Sequence, residues 1–167
     1  MLSDQFSQIF RDEHREIRDT LLDLIVAFQE RDKARIQTLL QQTAICTGPH
    51  FRYEEEALYP SLVEFFGEEY IERLLQDHDQ AIRSARKLVE LAGKEQLNNE
   101  DVTEATHLIR SVLPHVSDCE GLSIMVERLP EEKVQTILAG RDQANEAGLD
   151  LLEWADQLRS RSSVSPT

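Results

Sequence analysis

The chain is poor in the residues that punctuate and cross-link a fold. Its 167 residues include 6 Gly, 5 Pro, 2 Cys and 1 Trp. So few Gly and Pro argue against an all-β sandwich, which needs many tight turns. The two cysteines, Cys46 and Cys119, make no metal-finger spacing, and a reducing cytoplasm suits them. Basic residues are scarce as well: 18 Lys and Arg stand against 32 Asp and Glu, a formal net charge of −14. That balance disfavours the phosphates of nucleic acid and an anionic membrane as partners. No apolar run approaches the ~18 residues that mark a membrane span. The opening Met1-Leu-Ser-Asp-Gln-Phe-Ser lacks the basic and apolar regions of an export leader, so a cytoplasmic location is expected.

What the chain does have is helix-forming composition and helical periodicity. Forty per cent of residues are apolar and 30% charged, which fits one folded globular domain. Phe6, Phe10, Ile17, Leu21, Leu24 and Phe28 form an apolar stripe on a first helix that reaches about Glu30. A second helical stretch runs from Asp32 to Phe66, interrupted at Gly48-Pro49, and a third lies between Gly67 and Gly93. A fourth, capped by Asn98 or Asn99, reaches Leu129 with Pro114 inside it, and two shorter helices cover 131–139 and 142–159. The expected fold is all-α: an antiparallel up-down four-helix bundle over 1–130, a C-terminal helical extension over 131–160 and a polar tail over 161–167.

Aligning the histidines exposes an internal repeat. His14 to His50 is 36 residues and His78 to His115 is 37, while His14 to His78 is 64 and His50 to His115 is 65. Each half reads acid–His on its first helix (Glu13-His14, Asp77-His78) and Pro–His on its second (Pro49-His50, Pro114-His115). A helical hairpin used twice can place one His per helix at a similar depth. Glu54, four residues after His50, shares its helix face, about 40° away around the axis. After His115 come Cys119 at i+4 and Glu120 at i+5. Four imidazoles and a carboxylate on each of two helices suit a pair of first-row ions, iron above zinc or manganese. His107 fits neither half and is expected on a solvated face, whereas Tyr53, Tyr59 and Trp154 are expected in the core or at its rim.

At these residues the sequence resembles the hemerythrin (HHE cation-binding) family. That family's pattern of His, His-x3-Glu, His, and His followed by an acid stands here as His14, His50-Phe-Arg-Tyr-Glu54, His78 and His115-Val-Ser-Asp-Cys-Glu120. Glu54-Glu55-Glu56-Ala-Leu58-Tyr59-Pro60 is similar to the family's Glu-Glu-x-x-Leu-Phe-Pro stretch. The resemblance implies a non-haem di-iron centre with His14, His50, His78 and His115 as ligands and Glu54 as a bridge. The second carboxylate is expected from Glu120, which has the i+5 spacing of the oxygen carriers; an ideal helix turns it about 140° from His115, and Pro114 is expected to loosen that helix. Cys119 is the alternative, as a sulfur ligand or a nearby thiol.

The oxygen carriers have a second His on the third helix, four residues from the first; Leu74 and Ile82 stand at the equivalent places. The missing donor implies open positions on both irons, faster autoxidation and weaker retention of one ion. Sensing or scavenging of dioxygen or nitric oxide, by a binding protein more than an enzyme, is the expected function. Iron donation to damaged iron–sulfur centres and a structural bundle docking a partner through its last helices are the alternatives. Ferritin-like Glu-x-x-His is excluded, since Thr47 and Val112 precede the two His by three. His-Glu-x-x-His, Cys-x-x-Cys, a phosphate loop and a Gly-x-Ser-x-Gly elbow are all absent.

Overall fold

The computed structural model describes residues 1–161. It is helical, with no strand among the described residues. In chain order the elements are α1 (Leu2–Glu30), α2 (Lys33–Tyr53), a π-helical turn (Glu54–Leu58), α3 (Tyr59–Phe66), α4 (Glu68–Ala92), α5 (Asn99–Glu120), α6 (Ser123–Val126), α7 (Glu131–Ala147) and α8 (Leu151–Gln157). Short polar side chains start the helices. The Asp32 carboxylate accepts from the Arg35 amide, Asn98 and Asp101 cap each other's backbone amides, and Asp150 accepts from Leu152 and Glu153. Gly148, at φ 63°, ends α7 in the left-handed region that glycine tolerates.

The four long helices pack in a ring, with α1 against α2 and α5, and α4 against α2 and α5. Their apolar stripes form two main clusters. One holds Phe6, Phe10, Tyr53, Tyr59, Leu62 and Leu74; the other holds Ile17, Leu24, Phe28, Ile36, Leu88 and Ile109. His14 falls between Phe10 of the first and Ile17 of the second, so the four buried His and Glu54 lie in a layer between two apolar halves.

Three boundaries differ from the sequence expectation. First, α2 runs unbroken through Gly48-Pro49. Pro49 frees the carbonyl of Ile45 and Pro114 that of Arg110, and both of these residues are on the exposed side, where water satisfies the group. The irregularity lies instead at the π turn, where the Tyr59 amide donates to the Glu54 carbonyl. Second, the fourth helix stops at Glu120, and a turn at Gly121 separates it from α6. Third, α7 continues past Gly140, whose hydrogen side faces Ala57.

The C-terminal helices pack onto the ring. α7 contacts α1 and α2, and α8 sits against α2 and α4 with Trp154 and Leu151 buried beside Phe51 and Ile82. Arg161, placed in the polar tail by sequence, makes ion pairs with Glu72 and Asp79 at 2.7 and 2.8 Å. The rest of that tail, 162–167, lies outside the described residues.

Gly48 is what lets α8 come so close. A Cβ there would stand 2.5 Å from the Leu149 carbonyl oxygen and 2.7 Å from the Leu151 amide nitrogen, both backbone atoms that cannot step aside. Gly48→Ala is expected to destabilise the fold by about 1–3 kcal/mol, the usual cost of overpacking. Thermal or urea melting measures it; an unchanged midpoint would show that α8 is not seated on α2.

Candidate metal centre

Glu54 is the midpoint of the polar layer and is fully buried. Its carboxylate faces the four His in two pairs. Oε1 lies 3.0 Å from His50 Nε2 and 3.7 Å from His14 Nε2, and Oε2 lies 3.0 Å from His78 Nε2. The His14 and His50 rings are 4.5 Å apart, and the His78 and His115 rings 4.8 Å apart. Donor atoms of Glu54, His78 and His115 all lie within 4.8 Å of one another, and so do those of His14, Glu54 and Cys119.

Each imidazole is held from behind through Nδ1. His14 donates to the Phe10 carbonyl at 2.6 Å, His50 to Glu13 at 2.7 Å, His78 to Glu55 at 2.8 Å and His115 to Asp77 at 3.2 Å. All four partners accept only. Nδ1 therefore donates outward, and Nε2 is the nitrogen each ring turns to the interior, where it can bind a cation once it carries no proton. The acid–His dipeptides of the repeat acquire a role here: Glu13 and Asp77 each orient the His of the next helix in the repeat. Tyr53 also donates to Glu13, at 2.5 Å.

The π turn produces this arrangement. Glu54 reaches inward, four residues after His50, while Glu55 turns sideways to His78 and Glu56 remains at the surface with Arg52. The wider turn also brings the Tyr59 hydroxyl to 3.2 Å from Glu54 Oε2 and 3.1 Å from His78 Nε2. Such turns recur at functional sites because they shift the register of one helix face.

Two outer carboxylates are anchored in turn by the C-terminal helices. Arg141 of α7 donates to Glu13 at 2.5 Å, and Arg159, just after α8, donates to Glu55 at 2.8 Å. The chains Arg141–Glu13–His50 and Arg159–Glu55–His78 thus reach one member of each His pair.

The charges follow from these contacts. Burial works against a proton on His50, but Glu54 and Glu13 outweigh it and push the ring up to about 10. Burial and the neighbouring His50 bring His14 down to about 4. Burial raises Glu54, yet His50 and His78 hold it well below the usual carboxylate range. A cation and a proton would therefore compete for His50, which lies between the two carboxylates Glu13 and Glu54. Four neutral-capable nitrogens around a buried carboxylate fit a first-row divalent cation by donor chemistry.

Glu120 is not brought to this layer. α5 stays α-helical through Pro114, so the i+5 side chain points away and lies 3.9 Å from Arg18 at a half-buried position. The i+4 residue, Cys119, is the one that points inward, fully buried. His107 is exposed and Trp154 is in the core. Sequence reasoning placed Tyr53 and Tyr59 only as packing residues and assigned nothing to Glu55. The pairing of an acid with each repeated His was the available clue to Glu13 and Asp77; nothing local pointed to Arg141 or Arg159.

Removing an outer carboxylate should loosen one ring and leave the others in place. Glu13→Ala and Glu55→Ala are each expected to weaken metal binding by about 10–100-fold, the usual effect of losing such a partner. Arg141→Ala and Arg159→Ala should act in the same direction but less. Competition against a chromophoric chelator measures this; wild-type affinity in both Glu variants would show that the rings need no such support.

No curated protein and no solved structure matches the chain. The hemerythrin HHE cation-binding domain model matches residues 5–122, a span that contains the four His, Glu54 and Cys119 and stops before α6. With most of its length matched and a buried His–carboxylate layer in place, the chain belongs to the hemerythrin HHE cation-binding family.

Proposed function

We propose that α1, α2, α4 and α5 form an antiparallel up-down bundle around a non-haem di-iron centre, and that this centre binds dioxygen or nitric oxide for sensing or scavenging. The reading rests on one observation above all: the two oxygens of Glu54 each face a different His pair, at 3.0 Å from His50 and from His78. His14 and His50 would hold one ion and His78 and His115 the other, with one oxygen of Glu54 available to each. When bound, reduced iron supplies electrons and vacant coordination positions to a small diatomic ligand.

The chain's own residues shape access to those positions. An apolar cavity lies beside His14, His50 and His115, walled by residues such as Ile17, Leu88 and Ile109, with about 70 Å³ over which the centre of a water-sized sphere can move. Its walls offer few hydrogen bonds, so it favours a small uncharged ligand over a hydrated ion. Phe51 stacks on the His78 ring at 3.9 Å and fixes it from the side. Leu74 and Ile82, one turn to either side of His78, are buried and apolar. Neither supplies a donor, so an ion held by His78 would have a position open to an exogenous ligand. No helix of the described residues is long and apolar enough to cross a membrane.

Metal analysis tests the centre itself. The protein should hold about two irons per chain, one in each His pair, and His50→Ala and His115→Ala should each empty at least part of the site. Full occupancy in both variants would refute the ligand assignment. Affinity should also rise with pH through the neutral range, because His50, pushed up to about 10, must release its proton before its nitrogen can bind. Chelator competition at several pH values reads the slope, and a flat profile would place the cation elsewhere.

The open position sets the behaviour in air. Anaerobically reduced, iron-loaded protein should change its optical spectrum on exposure to air, and evacuation should not restore the original spectrum. Leu74→His or Ile82→His returns the missing donor and should slow the change. Repeated reversible cycling by the wild type would rule out the scavenging or sensing assignment in favour of storage.

A further inference from the structure

We propose that Cys119 is a thiolate ligand to the ion held by His14 and His50, so that the two halves of the centre differ in chemistry. The inference rests on the di-metal reading above and concerns the donor set of one half only.

Three observations carry it. Cys119 is fully buried at the C-terminal end of α5, and its Sγ lies 2.9 Å from Glu54 Oε1, the carboxylate oxygen that also faces His14 and His50. The donor atoms of His14, Glu54 and Cys119 lie within 4.8 Å of one another, close enough to share an ion. His14 itself shows an unmet need. Its ring is 3% exposed, and its Nδ1 is committed to the Phe10 carbonyl. Its Nε2 points into the cluster with Glu54 at 3.7 Å, beyond hydrogen-bond reach. Among the described residues no hydrogen-bond partner reaches this nitrogen, so its lone pair is available to a Lewis acid.

The position of the thiol supports the assignment. Cys119 is four residues after His115, as Glu54 is four after His50. The repeat thus puts sulfur where the first hairpin has its carboxylate. Cys46, the other cysteine, spends its thiol on the Gln42 carbonyl of its own helix. Cys119 has no such local partner; its contacts are Glu54 and the Tyr59 hydroxyl at 3.5 Å.

The step is a simple exchange. A divalent cation replaces the thiol proton, which leaves to solvent, and the sulfur lone pair passes to the metal with no change in oxidation state. The first half then offers an imidazole nitrogen of His14, one carboxylate oxygen and one thiolate sulfur within mutual reach, with His50 3.0 Å from the same carboxylate oxygen, a donor mixture that favours the softer metals. The second half offers two nitrogens and one carboxylate oxygen, with Tyr59 adjacent. The sulfur-bearing half should therefore fill first and empty last, and the open positions for an exogenous ligand should concentrate at the His78 and His115 ion.

X-ray absorption of zinc-loaded wild-type protein, at one equivalent of metal, tests this without any substitution. A sulfur neighbour at about 2.3 Å is expected. Anaerobic cobalt(II) loading should add a near-ultraviolet thiolate-to-metal band at the first equivalent, absent in Cys119→Ser. That variant should bind the first equivalent at least about tenfold more weakly, taking the loss of an outer partner as the lower bound. Bound metal with only nitrogen and oxygen neighbours and no such band would overturn the thiolate assignment alone. Failure to bind any metal would overturn it together with the di-metal centre.

Discussion

The structure turns on one carboxylate kept ionised where no water reaches it. An unpaired charge of this kind costs several kcal/mol in a protein interior, and the cost is recovered only by opposite charge and well-placed donors. Glu54 has His50 and His78 at 3.0 Å, the Cys119 thiol at 2.9 Å and the Tyr59 hydroxyl at 3.2 Å. These groups come from α2, α4, α5 and α3, so the carboxylate is a point at which most of the ring must be assembled before it is satisfied. The two apolar clusters lie on either side of this layer and supply the burial that both stabilises the fold and makes the charge expensive. Core and site are therefore coupled: the same helix faces make both.

Local backbone geometry decides which acid plays which part. Glu54, Glu55 and Glu56 are chemically identical neighbours, yet one is inside the cluster, one behind His78 and one at the surface with Arg52. The π turn separates them by widening the helix at that point. The second hairpin has no such turn: α5 remains regular through Cys119 and Glu120, so the repeat is broken in backbone as well as in residue type. The different side chains that the two hairpins turn toward the layer follow from that difference. Where the helix widens, a second carboxylate joins the site, and where it stays regular, the thiol alone points inward.

The sequence made the repeat legible because matched His intervals are a long-range pattern that chance rarely produces. His14, His50, Glu54, His78 and His115 all face one layer, as their spacing requires of helices. Glu120 was misplaced because the expectation asked Pro114 to distort α5. A proline does remove a backbone donor, but here the freed carbonyl belongs to Arg110 on the exposed side, so the helix had no reason to yield. Gly48-Pro49 misled in the same way. The glycine there marks the close passage of α8. Contacts such as Arg159–Glu55 join residues 104 apart in the chain and obey no periodicity, so only the folded structure could reveal them.

Those distant contacts bear on what the C-terminal helices are for. An acid that orients a buried His through Nδ1 must itself stay ionised, and burial opposes that. Glu13 and Glu55 are both held below the usual carboxylate range against burial, Glu13 chiefly by His50 with help from Tyr53 and Arg141, Glu55 by His78 and Arg159. Without the arginines, Glu55 would rely on its imidazole alone and Glu13 on His50 and Tyr53, and a proton on either acid would leave Nδ1 without a charged acceptor. The ring would then be free to turn its lone pair away from the cluster. The family match ends at residue 122, whereas Arg141 and Arg159 both lie beyond it. The extension therefore does more than cover apolar surface with Trp154 and Leu151. It supplies the outermost charges behind one imidazole of each pair, so docking of α7 and α8 and the orientation of His50 and His78 are coupled.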